Sequence, residues 1–199
     1  SVEDHLTHIR TLYAYHHVKL FKSNLQGQCD SLVWSDEDSI LYFLNHPVLW
    51  SDSSQYTADT IKVGLKNSHI DRVWLRQHAM IGSETASGIY DQIGGRTISG
   101  VFKSDTLRYV LVAGNGESIY YAKDEHQAFI GVNKATCSNM KIYFASNKIE
   151  KIVFMGEPEA TLFPIQKINI EDFILENFVW YGTGRPLSAE DLPGAEQLK

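Results

Sequence analysis

Histidines, cysteines and grouped carboxylates are the residues of this 199-residue chain that could do chemistry. Metal binding needs several ligands on one side of an element. His16 and His17 are adjacent, so in a strand they point to opposite faces. His69 and His78 flank an alternating segment, and His126 sits in a polar turn. There is no His pair at i, i+4 on a helix and no zinc-finger spacing, so these histidines are expected to be exposed polar residues and no metal is expected. Asp36-Glu37-Asp38 lacks the glycine and distal glutamate of a calcium loop and reads as a solvated turn between Trp34 and Ile40. Gly114-Asn115-Gly116 lacks the Lys-Ser/Thr ending of a phosphate loop and reads as a β-turn. No Gly-x-Ser-x-Gly elbow is present. Asp59, Asp71, Glu84 and Asp91 could converge as the carboxylate set of a glycan-cleaving enzyme. Asp71, however, has a counterpart in Glu150, and each precedes a basic residue. A ladder of alternating surface charge explains the pair without chemistry. The expectation is a protein with no catalytic site and no cofactor.

The elements that would position these residues are strands. Ile61, Val63 and Leu65 alternate with Lys62, Gly64 and Lys66. Val73 and Leu75 alternate with charged neighbours, and so do Met140, Ile142 and Phe144, then Ile152 and Phe154. A period of two puts one set on one face of a sheet. Turn formers lie between the runs: Lys66-Asn67-Ser68, Gly94-Gly95, Ser104-Asp105, Gly114-Asn115-Gly116 and Ser146-Asn147-Lys148. The pattern is all-β: a sandwich, barrel or solenoid.

The runs also repeat. Thr57-Ala58-Asp59, Ile61-Lys62-Val63 and Ile70-Asp71-Arg72-Val73 match Thr136-Cys137-Ser138, Met140-Lys141-Ile142 and Ile149-Glu150-Lys151-Ile152 at one offset, 136 − 57 = 79. Cys29-Asp30-Ser31-Leu32 echoes Ala58-Asp59-Thr60-Ile61. About four units of roughly 30–40 residues follow, each an antiparallel strand pair that cannot bury its apolar face alone. Stacked pairs give two sheets around a shared interior. Residues 1–164 are expected to form this repeat domain, with Thr11 to Phe21 as the first strand. Residues 165–199 are expected to form an irregular cap and tail, with a short helix around Ile170–Glu176. Cys29 and Cys137 hold equivalent places in the first and last units, roughly 14 Å apart at three strand spacings. That is beyond disulfide reach, so both are expected to be free, buried thiols.

Bulk composition narrows the partners. The formal charge is −6, with 18 basic residues scattered among 24 acids. No basic stripe is visible, so nucleic acid is not an expected partner. No apolar run approaches the ~20 residues of a spanning helix. The chain starts at Ser1, as a processed or partial chain would.

The apolar inventory carries the functional question. Leu32 and Trp34 of the first unit, Ile61, Val63, Leu65, Val73 and Leu75 of the second, and Val110 and Val112 of the third are expected to line one interior. Met140, Ile142, Phe144, Ile152 and Phe154 complete it. Alternation alone leaves two readings open. The interior is either a closed, dry core of a structural or protein-interaction module, or a groove that admits an acyl chain.

Several stretches resemble a known family: Asp30-Ser31-Leu32-Val33-Trp34, Pro47-Val48-Leu49-Trp50-Ser51-Asp52, Thr57-Ala58-Asp59-Thr60-Ile61 and Asn67 to Val73. Tyr120-Tyr121-Ala122-Lys123-Asp124, Gly131 to Ala135, Ile149 to Phe154, Pro158 to Leu162 and Arg185-Pro186-Leu187-Ser188 follow in the same order. Together they resemble the OstA-like family of LptA-type lipopolysaccharide-transport proteins, in its Bacteroidetes branch, over residues 12–190. The resemblance implies an open, twisted β-jellyroll, a two-sheet taco, whose groove shields lipid A acyl chains on the way to the outer membrane. It implies a place in the periplasm or on the periplasmic face of the outer membrane. The implied partners are lipopolysaccharide or a related lipid, and other OstA/Lpt-type jellyrolls joined by end-to-end strand pairing. It also implies that the chain is the carboxy-terminal portion of a longer protein. The family has no catalytic motif to carry over.

Overall fold

The computed structural model describes residues 10–145 and 148–192. Its strands are β1 (Thr11–Lys22), β2 (Leu25–Ser35), β3 (Ile40–Leu44), β4 (Val48–Ser51), β5 (Ser54–Thr57), β6 (Thr60–Lys66), β7 (His69–Ala86), β8 (Ile89–Lys103), β9 (Thr106–Lys123), β10 (Phe129–Ala145), β11 (Lys148–Met155) and β12 (Glu159–Pro164). All pair antiparallel. The long strands are too long to lie in one flat sheet. Each bends once near its middle, where the register breaks: between Arg76 and Ala79 on β7, Gly94 and Thr97 on β8, and Cys137 and Asn139 on β10.

The bends split the single hydrogen-bonded sheet into two facing halves. The front half runs from the first part of β1 through the second part of β2, β3, β6, and the first part of β7. It continues through the second part of β8, the first part of β9 and the second part of β10 to β11. The back half runs through the complementary parts of the same strands, with β4 and β5 in place of β3 and β6 and β12 in place of β11. The twelve strands thus make nine layers, because β3 with β4, β5 with β6 and β11 with β12 share one each. At ~4.8 Å per layer the stack is about 38 Å long. This is the open, folded β-jellyroll.

The bend has its own chemistry. Alternate layers turn through two consecutive left-handed residues: His16-His17, Asn45-His46, Gln77-His78, Gly114-Asn115 and Gly156-Glu157. Gly, Asn and His tolerate that conformation better than β-branched residues do. The layers between them place a small residue at the inside of the bend: Cys29, Ala58, Gly95 and Cys137. A Cβ on Gly95 would lie 2.4 Å from Val112 Cγ1. His16-His17 is therefore a corner and not a stretch of regular strand, which corrects the opposite-face reading. Gly94-Gly95 and Gly114-Asn115-Gly116 likewise lie inside β8 and β9 and reverse nothing. Left-handed residues serve a corner as well as a hairpin, so the two look alike in sequence. Asn67-Ser68 and Ser104-Asp105 are hairpin turns as expected. The Ser146-Asn147 turn lies outside the described residues.

The offset of 79 recurs in three dimensions. Val63 faces Val73, and Ile142 faces Ile152. The register shift at Gly64/Leu65 returns at Tyr143/Phe144. The Asp59 N–H donates to Gln77 O at 3.1 Å, and the Ser138 N–H donates to Gly156 O at 2.8 Å. Each repeating unit spans two layers. Cys29 and Cys137 are therefore six strand spacings apart, about 29 Å, and not three. Both are free and buried, and each Sγ donates to the carbonyl two residues on, Ser31 and Asn139. Burial pushes the Cys29 thiol up to about 11 and raises Cys137 as well, so neither is a ready nucleophile.

The tail after Pro164 holds four single 3-10 turns, Ile165–Lys167, Ile170–Asp172, Gly182–Gly184 and Ala189–Asp191. The expected helix around Ile170–Glu176 is only the second of these. The tail crosses the outer face of the back half and does not cap an end of the stack. That face carries Met80, Ile119, Tyr121 and Val132, which Phe173, Leu175 and Phe178 cover. Three buried glutamines hold the tail down. Gln92 donates to Phe173 O and accepts from Leu175 N, at 2.9 and 2.8 Å. Gln55 does the same for Val179 O and Tyr181 N, at 2.7 and 2.6 Å. Gln26 accepts from the Arg185 guanidinium.

Candidate functional site

The interior between the halves is one apolar cluster. Leu32, Ile61, Val63, Val73, Leu75, Val110, Val112, Met140 and Ile142 are buried in it. Leu65, Phe144, Ile152 and Phe154 pack against it half-buried. Trp34, in the same alternating series, lies outside the cluster, toward the tip of its strand where Leu12 beside it is 53% exposed.

The interior is not uniformly open. Among β2, β4, β5, β6, β7 and β8 lies a void of about 10 Å³, walled by Leu25, Leu49, Tyr56, Val63, Ile70, Val73 and Phe102. Lys22 bridges the mouth here, donating to Ser68 O at 3.0 Å from the opposite half. More space is left between the back parts of β7, β8 and β9 and the front strands β10 and β11. A cleft of about 570 Å³ opens between them, with Ile81, Ile93, Phe144 and Ile149 contributing apolar surface. Ser83, Glu84, Thr85, Asp91, Tyr120, Lys123 and Gln127 contribute its polar wall. This volume falls in the ~300–1,000 Å³ range of small-ligand sites. Of the positions singled out by alternation, Phe144 alone lines it. Ile81, Ile93 and Ile149 were not among the interior positions expected from alternation; Ile149 lies three residues from Ile152, off the period of two.

The carboxylates considered as a catalytic set are dispersed. Asp59 sits at the bend, 3.0 Å from His78 Nδ1. Asp71 lies at a front tip, 3.5 Å from Arg72 Nε. Glu84 and Asp91 do share the cleft wall, a convergence the charge-ladder reading missed. Each is engaged by backbone: Glu84 accepts from Gly88 N at 3.2 Å and Asp91 from Tyr121 N at 2.8 Å. Among the described residues, no group of three or more His, Cys, Asp or Glu side chains could hold a metal ion.

Asp91 is half-buried in this wall. Burial pushes its carboxyl up to about 6, against the Tyr121 N–H and Lys123. The folded state then binds a proton more tightly than the unfolded chain between about pH 4 and 6. Ionised Asp91 costs stability above that window, and the cost vanishes below it. Asp91→Asn should be more stable than the parent at neutral pH by on the order of 2 kcal/mol, and equal to it near pH 4. Urea unfolding at the two pH values checks this; a pH-independent difference contradicts it.

Both open ends of the stack present edge strands. Among the described residues, β1 pairs only with β2, and β11 and β12 only with β10. The β1 edge carries Tyr13 and Tyr15, stacked at 6.2 Å and about 60% exposed.

A two-sided β-jellyroll with open ends is the architecture of LptA/OstA-like proteins. The chain superimposes on LptH of Pseudomonas aeruginosa, described as the LptA-homologous periplasmic component of a lipopolysaccharide transport device, with a TM-score of 0.53. The match covers 72% of this chain and all of LptH at 14% identity, which establishes the fold. No family model and no curated protein matches the sequence.

Proposed function

We propose that this chain is a non-enzymatic carrier that shelters an acyl chain of lipopolysaccharide or a related lipid on its way to the outer membrane. The observation that carries the reading is the cleft of about 570 Å³, whose apolar part continues the interior cluster between the half-sheets. An acyl chain lying there would leave water without displacing packed side chains, at roughly 0.8 kcal/mol per buried CH₂. Lys123, on the cleft wall, is the cation nearest an anionic headgroup held there, and its ammonium also donates to Thr85 O at 3.4 Å and lies 4.6 Å over the Phe129 ring. The likeness to LptH supports a periplasmic setting. The unpaired edges of β1 and of β11 with β12 suit end-to-end pairing with other jellyrolls of this kind, since an open edge is a template for a further strand.

The close packing around Leu25, Leu49, Val63 and Val73 favours a second reading, a structural module with a packed core. Titration of the chain with a fluorescent acyl probe separates the two. The carrier reading predicts saturable binding at one site, displaced by lipopolysaccharide. Absence of saturable binding, with the chain folded, leaves the structural module.

A further inference from the structure

The two outer faces are treated differently. The back one lies under the tail. Among the described residues no element is stacked on the front one, although it carries large rings. Pairing register places Tyr42, Lys62, Trp74, Ser99, Leu111 and Lys141 in one central row across it, with Tyr109 and Tyr143 one row toward the tips. Lys62 Nζ lies 4.9 Å over the Tyr42 ring, and Lys141 Nζ lies 4.3 and 4.8 Å over Tyr109 and Tyr143. Arg76 adds an exposed cation toward the bend. The acids of this face stand at its margins: Asp38, bonded to Tyr42 Oη at 2.8 Å, Asp71 beside Arg72, and Glu150 at the tips, and Asp30 and Asp59 at the bend, beside His16 and His78. The centre is therefore cationic and aromatic on a chain of formal charge −6.

We propose that the outer face of the front half-sheet docks flat on an anionic lipid surface. Charge complementarity favours that occupant. Tyr and Trp suit the headgroup level because one end of each ring system is apolar and the other polar. Lysines and arginines near an anionic leaflet each strengthen attachment and lose their effect within a Debye length. Leu111, 39% exposed in the same row, adds an apolar contact. A single-stranded polynucleotide fits less well. Its bases need free aromatic faces, and here ammonium groups occupy the faces of three tyrosines. The docking is independent of the cleft and stands whether or not the cleft takes lipid.

The test is co-sedimentation of the full chain with vesicles of phosphatidylcholine alone or mixed with phosphatidylglycerol. Binding is expected to the mixed vesicles only and to fall steeply with added salt. The variant Lys62→Gln/Arg76→Gln/Lys141→Gln is expected to bind about a hundred-fold more weakly. Lys134→Gln/Lys167→Gln, on the back half and tail, is expected to bind as the parent does. The salt titration needs no variant, so it decides even if the triple variant folds poorly. Equal binding to neutral vesicles, salt-independent binding, or equal loss in the two variants overturns the proposal. So does capture of heparin or single-stranded DNA with no capture of vesicles.

Discussion

Gly82→Val is expected to unseat the tail and lower the stability of the chain by about 3 kcal/mol. Valine suits a β-strand, so local propensity does not oppose the change. The opposition comes from the tail. A Cβ at Gly82 would lie 2.4 Å from Phe178 Cε2 and 3.0 Å from Cζ, ring atoms of a residue only 9% exposed. Overpacking of this kind costs ~1–3 kcal/mol, and here it also separates Phe178 from its aromatic neighbour Tyr90 at 5.3 Å. The loss should appear as a lowered melting temperature and as new proteolytic cleavage within residues 165–192. Gly82→Val/Phe178→Ala should recover part of the loss, because the truncated side chain makes room. A double variant that is merely the sum of the two single losses contradicts this contact.

Phe144→Glu/Ile149→Glu is expected to abolish acyl-probe binding while leaving the fold intact. Both side chains are half-buried and line the cleft from the front half, opposite Glu84 and Asp91 on the back half. The variant replaces apolar wall with carboxylates facing carboxylates. An acyl chain would then have to bury charge or leave, and an apolar side chain of this size is worth ~1.5–3 kcal/mol when fully buried. Affinity should fall at least a hundred-fold, while circular dichroism stays that of the parent. Retained affinity would place the probe elsewhere.

How much of this was legible in the sequence follows from what each feature requires. Hairpins repeat because each layer pair solves the same burial problem. The shared offset marked two like strand pairs in the sequence, and the structure adds that they repeat in register as well, down to the matching shifts at Gly64/Leu65 and Tyr143/Phe144. The bends were not legible. Gln77-His78 and Gly114-Asn115 use the same left-handed geometry as a hairpin turn, and only the partner strands show that the chain continues forward. The tail's seat was not legible either. Gln55 and Gln92 read as ordinary polar positions of two strands, yet each side-chain amide completes a backbone pair more than eighty residues away. Alternation located the interior through Ile61, Val63, Leu75 and Ile142. It did not locate the cleft, because the opening depends on the space left between the half-sheets near Ile93 and Ile149 and not on which residues are apolar.

Whether lipid enters the cleft is decided by photocrosslinking from two interior positions, Phe144 in the cleft and Val63 in the closely packed part. Each is replaced in turn by a photoreactive residue and irradiated with lipopolysaccharide. A lipid adduct is expected from position 144 and none from position 63. Adducts from position 63 alone, or from neither position while an LptA-type carrier is labelled in parallel, would contradict the carrier reading.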